Sequence, residues 1–86
     1  MQYYVYILIS FNKNKLTITY VGYTKDLKKR LELHNNSKGA KFTRGRKWKL
    51  IYKKSYKNKS LAMQNEYLLK VNRSLRNKIK NRFLKK

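Results

Sequence analysis

The chain has no cysteine. A disulfide, a zinc–thiolate site and a thiol nucleophile are therefore excluded. Acidic residues are almost as scarce: Asp26, Glu32 and Glu66 are the whole set. A two-metal phosphodiesterase centre needs several carboxylates around its ions, and this chain can hardly supply them. No apolar run approaches the ~20 residues that span a bilayer as a helix. Met1-Gln2-Tyr3-Tyr4-Val5-Tyr6 lacks the basic-then-apolar order of a signal peptide. The expectation is a cytoplasmic protein with no membrane partner. There is no internal repeat, no linker and no shift of composition that would divide the chain, so residues 1–86 are read as one small domain. Hydrophobic residues make up 41%, enough for a compact but thin core.

What is abundant is positive charge. Twenty-four Lys and Arg against three acids give a formal net charge of +21. Such a field repels itself and attracts polyanions. With eight tyrosines beside that charge, nucleic acid is the first candidate partner. An anionic membrane surface comes second.

The richest stretch runs from Tyr20 to Asn35. Thr19, Tyr20 and Val21 favour a pleated strand. Gly22 and Thr24 break it, and Thr24 or Asp26 can cap a helix. Leu27 and Leu31 then fall on one helical face, with Arg30 and His34 four apart beside it. A tyrosine, an arginine and the single histidine thus gather at one strand–turn–helix corner. Taken alone, Arg30 reads as a solvated charge and His34 as a surface or capping histidine.

Upstream, residues 3–10 are β-branched and aromatic and read as a strand. Tyr4, Tyr6 and Leu8 share one face; Tyr3, Val5, Ile7 and Ile9 share the other. Residues 16–23 form the second strand, with Leu16, Ile18, Tyr20 and Gly22 on one face. A hairpin centred near Lys13 would set Tyr6 opposite Tyr20 and Leu8 opposite Ile18.

Downstream, Asn36 to Lys49 interleaves Lys38, Lys41, Arg44, Arg46 and Lys47 with Gly39, Phe42, Gly45 and Trp48. Basic, glycine and aromatic residues in one loop suit phosphate contact and stacking. Trp48 also begins the next apolar run, so it anchors the loop to the core, stacks on nucleic acid, or does both. Trp48 to Tyr56 is the third strand, with Trp48, Leu50 and Tyr52 on one face. Asn58 or Ser60 caps a helix over about Leu61 to Val71. Leu61, Leu68, Val71 and Leu75 form its apolar stripe. Leu75, Ile79 and Phe83 recur every four residues and predict a third amphipathic helix over Ser74 to Lys86.

Among the acids, Asp26 is taken up by the helix start. Glu32 stands among Lys28, Lys29 and Asn36 and reads as a helix-surface charge. Glu66 lies off the apolar stripe, away from an obvious structural task. It is the one candidate ligand for a divalent cation, and Mg²⁺ accepts so sparse a protein shell because it keeps several waters.

These residues together resemble the GIY-YIG nuclease family. Tyr4-Val5-Tyr6 and Tyr20-Val21-Gly22 look like its two motif strands. Arg30 with His34 on the first helix and Glu66 on a later one complete the likeness. It is nearest to small single-domain members, which are similar to the N-terminal nuclease domain of bacterial excision-repair endonucleases, and it covers Tyr3 to about Leu75. Tyr4 departs from the glycine of the motif name, and Tyr23 stands where repair-type members carry lysine. The resemblance implies an α+β fold, a three-stranded antiparallel sheet flanked by about three helices. It implies Mg²⁺- (or Mn²⁺-) dependent hydrolysis of phosphodiester bonds; DNA ranks ahead of RNA as the expected partner, the choice between them staying open, and no small-molecule cofactor is expected. Tyr6 and Tyr20 would be the paired motif tyrosines, one of them orienting or deprotonating water. Arg30 would bind the scissile phosphate, His34 would pass a proton or hold a phosphate, and Glu66 would be the metal ligand. A late asparagine of the family site falls to Asn72 or Asn77.

Overall fold

The computed structural model describes residues 2–11, 17–36 and 46–85. Its centre is β1 (Tyr3–Phe11), where Val5 to Ser10 are all buried. A strand buried on both faces must be covered on both, and this one is. β2 (Thr17–Thr24) and β3 (Lys49–Tyr56) flank it, both antiparallel, in the order β2-β1-β3. α1 (Leu27–Asn35) brings Leu27 and Leu31 onto Tyr6, Leu8 and Trp48 on one face. α2 (Lys59–Val71) and α3 (Arg73–Leu84) cover the other, where Val5, Ile7 and Val21 pack with Ala62 and Leu69. The α+β class and the three-stranded antiparallel sheet are as the sequence leads one to expect. Among the described residues no helix is long and apolar enough to cross a membrane.

Local chemistry places the helices. Asp26 accepts the Lys29 amide at 3.1 Å and starts α1. Asn58, not Ser60, accepts the Leu61 amide at 2.9 Å and starts α2. Asn72 both closes α2 and opens α3, accepting from the Leu75 amide at 3.0 Å. One asparagine thus turns the chain between two helices with no loop.

Three sequence expectations are corrected. The hairpin register is displaced: Tyr6 pairs with Gly22, and Leu8 with Tyr20. Tyr6 and Tyr20 therefore share a face as diagonal neighbours rather than facing each other. The turn on which the symmetric register rested lies outside the described residues. On β3, Ile7 pairs with Tyr52 but Leu8 with Leu50. That bulge leaves Ile51 as an extra residue and reverses the alternation. So Trp48 and Leu50 face α1 while Tyr52 faces α2 and α3, not one face for all three.

The third correction concerns α2. The stripe of Leu61, Leu68, Val71 and Leu75 is not the buried one; all four are exposed. The helix instead turns Ala62 and Leu69 to the sheet. Bulky Val5, Ile7 and Val21 already fill the sheet surface, with Tyr52 and Tyr56 packed beside them. A small residue at the contact lets the helix lie close. Its rotation also carries the half-buried Glu66 toward the edge of the sheet.

One asparagine ties the two halves of the α1 face together. Asn35, the last residue of α1, accepts the Trp48 amide at 2.6 Å and donates to the Trp48 carbonyl at 3.2 Å. A side-chain amide thereby imitates a strand neighbour where β3 begins. Asn35→Ala would leave both backbone groups without these partners. It is expected to destabilise the fold by about 1–3 kcal/mol, read as a lower urea midpoint with unchanged slope.

Candidate active site

Gly22 is where the site begins. Its pairing with Tyr6 puts the Tyr6 ring directly over it. A β-carbon at this position would stand 2.5 Å from the Tyr6 hydroxyl oxygen and 3.1 Å from the Tyr20 ring. Only a residue without a side chain leaves that space. Tyr6 is thereby laid along the sheet, 1% exposed, with its hydroxyl 3.0 Å from His34 Nε2.

His34 itself is fully buried under the two tyrosines. Its ring lies 6.0 Å from that of Tyr6 and 5.0 Å from that of Tyr20. The Tyr6 and Tyr20 rings are 6.3 Å apart. Trp48 meets Tyr20 edge-on at 6.4 Å and closes the cluster.

Arg30, one turn before His34 on α1, donates from its guanidinium to the Tyr6 and Tyr20 hydroxyls. Arginine cannot accept a hydrogen bond. The Tyr6 oxygen therefore accepts from Arg30, and the same hydroxyl shares a hydrogen bond with His34 Nε2.

The electrostatics agree with neutral partners around one cation. Burial pushes the Tyr6 phenol up to about 12, the Arg30 hydrogen bond offsetting part of that rise. Burial, and then the charge of Arg30, hold the His34 imidazole below its ordinary 6.5. The Tyr6 hydrogen bond raises Arg30 further, against its own partial burial.

A cleft of about 280 Å³ opens beside this cluster, lined by Tyr6, Tyr20, Gly22, Tyr23, Arg30 and Glu66. β2 is an edge strand. Arg30 comes from the helix on one face of the sheet and Glu66 from the helix on the other, and they meet at this edge. The Glu66 side chain is 16% exposed and pairs with Lys70 at 3.3 Å. It is the only carboxylate lining the cleft. Among the described residues no three of His, Cys, Asp and Glu cluster. That donor set fits one hard cation that keeps its waters, not a pair of ions.

Tyr6, Tyr20, Arg30 and Glu66 are thus brought together as the sequence suggests. His34 stands behind Tyr6, and its burial closes the phosphate-holding role to it; it positions Tyr6. Trp48 is 3% exposed, so its ring belongs to the core and is not offered for stacking on nucleic acid. Lys38, Lys41 and Arg44 lie outside the described residues. Arg46 is half-buried and Lys47 exposed, and neither lines the cleft. Asn72 and Asn77 are also absent from its lining. Tyr23 and Gly22 line it without having been singled out as site residues. Alternation puts Tyr23 on the far face, but at an edge strand both faces border the same opening.

Two outcomes test this geometry. Burial and the charge of Arg30 make His34 harder to protonate in the folded chain than in the unfolded one. Stability is therefore complete above pH 6.5 and falls as pH drops below it. Urea midpoints between pH 7.5 and 5 should show that slope, and His34→Gln should flatten it. Gly22→Ala should displace the buried Tyr6 ring at a cost of about 1–3 kcal/mol, and the His34 slope should weaken with it.

The chain matches the model of the GIY-YIG catalytic domain over residues 2–80. It is 47% identical over 70 residues to a UPF0213 protein of Oceanobacillus iheyensis, covering 80% of this chain and 77% of that one. It is 47% identical over 68 residues to a UPF0213 protein of Clostridium perfringens, covering 78% and 69%. The solution structure of a UPF0213 protein from Bacillus halodurans, 35% identical, aligns over 94% of this chain and 84% of that one with a TM-score of 0.49. With the family model spanning nearly the whole chain, this protein belongs to the GIY-YIG family of nuclease-type domains.

Proposed function

We propose that the protein is a Mg²⁺- (or Mn²⁺-) dependent endonuclease that hydrolyses DNA phosphodiester bonds, directed by substrate structure or by weak sequence preference. One observation carries this reading: a lone carboxylate, Glu66, faces Arg30 and two tyrosine hydroxyls across one cleft. In a chain of charge +21, a module that only bound phosphates would gain nothing from a carboxylate there.

Arg30 binds the scissile phosphate and offsets the charge growing on its oxygens. Its Nε is buried without a hydrogen-bond partner among the described residues. Tyr6, neutral up to about pH 12 and almost fully buried, is a poor base. Its part is to hold Arg30 in place through the hydroxyl that also meets His34. Tyr20, half-exposed at the cleft, is the hydroxyl that orients the attacking water. A divalent cation held at Glu66 would supply positive charge to the phosphate and the departing 3′-oxygen. The excess of Lys and Arg supplies the sequence-independent attraction for the backbone.

A second reading has its own support. Lys70 already pairs with Glu66 at 3.3 Å, as a purely structural carboxylate would. The protein would then be a nucleic-acid-binding module without cleavage. Lys70 is 51% exposed, so that pair is worth at most ~1 kcal/mol.

Cleavage of supercoiled plasmid and flap DNA in Mg²⁺, against EDTA, separates the two. Glu66→Gln is expected to lower cleavage by at least about a hundredfold, with DNA binding equal or tighter. Arg30→Ala should lower cleavage as much and weaken binding too. A Glu66→Gln protein that cuts at the wild-type rate would leave only the binding module. Duplex affinity in either case should fall by orders of magnitude between ~50 and ~200 mM salt.

A further inference from the structure

Away from the cleft, the helices leave an apolar groove open. It lies between α3 and β3 and has a volume of about 610 Å³. Ile51, Tyr52, Leu75, Ile79 and Phe83 line it, with Lys78 and Arg82 among them. A smaller hollow of about 190 Å³ continues it toward α2, sharing Tyr52 and Leu75 and bordered by Lys54. None of the cleft residues lines either hollow.

Leu68 and Leu75, from the stripe that the core does not use, border this surface, and Val71 of the same stripe is exposed as well. Leu68 is 58% exposed, Val71 59% and Leu75 41%. Among the described residues, every exposed large apolar side chain except Phe11 lies on α2 or α3. A contiguous apolar surface with a polar rim marks an interaction site. The regular spacing of Leu75, Ile79 and Phe83, with Leu68 beside them, is accounted for if something packs against the groove.

Charge selects the occupant. A second copy would bring Lys54, Lys78 and Arg82 against their own kind in a chain of charge +21. Nucleic acid would satisfy the rim but leave Ile51, Leu75 and Ile79 facing polar groups. A membrane takes up a protruding apolar face, and this one is a groove. A helix with an apolar row and carboxylates beside it satisfies both floor and rim, in the helix-in-groove mode. We propose that the groove formed by β3, α2 and α3 docks an acidic amphipathic helix of a partner protein. This docking does not depend on the chemistry of the cleft.

The test is fluorescence anisotropy with a panel of labelled synthetic helices, Leu at i, i+3, i+4 and i+7 and Glu between. Scrambled peptides of the same composition serve as controls, all at ~150 mM salt. The patterned helices should bind about tenfold more tightly than the scrambled ones. Leu68→Gln and Leu75→Gln, both surface changes, should remove that preference while the melting temperature and duplex-DNA affinity stay unchanged. Equal binding of patterned and scrambled peptides would overturn the proposal, since charge alone would then explain it. So would a loss, in the same variants, of binding to anionic vesicles or duplex DNA, or the break-up of a dimer in sedimentation equilibrium.

Discussion

The Tyr6 hydroxyl is the point on which the site depends. It sits above a position with no side chain, 3.0 Å from a buried imidazole and within reach of a guanidinium. Each neighbour constrains the next. Gly22 leaves room for the ring, the ring lies against the buried His34, and the hydroxyl also meets Arg30. Because Arg30 can only donate, the Tyr6 oxygen is the acceptor in that last contact. A low-dielectric setting strengthens the hydrogen bonds of such a network, and here Arg30, Tyr6 and His34 are joined through one hydroxyl.

The second constraint is electrostatic. Nearly all of the charge in this protein has one sign, so a carboxylate at the cleft is conspicuous for chemical reasons. Glu66 reaches it because α2 turns Ala62 and Leu69, rather than its leucine stripe, toward the sheet. The same rotation has two results. It brings Glu66 to the cleft that Arg30 also lines, and it leaves Leu68, Val71 and Leu75 outside. Candidate site and apolar groove are thus two faces of one packing choice.

Much of this was legible in the residues. Helix starts at Asp26 and Asn58 follow from side chains that accept backbone amides, a local effect. The faces of β1 follow from a period of two. The grouping of Tyr6, Tyr20, Arg30 and Glu66 followed from the resemblance to a known family. Less legible were the features that depend on how elements meet. The bulge at Ile51 reverses a face without any local signal. The burial of His34 comes from what lies above it, not from its spacing on α1. Asn35 carries no periodic mark, yet its amide clamps Trp48.

The sequence by itself determined the elements, their caps, the alternation of β1 and the positive field, because each depends on residues close together in the chain or on their sum. Only the tertiary structure decided the hairpin offset that sets Tyr6 over Gly22. The same holds for the side of α2 that meets the sheet and for the shifted proton affinities of Tyr6 and His34. Those depend on volumes filled by distant residues and on water being excluded, and neither quantity exists until the chain has closed on itself.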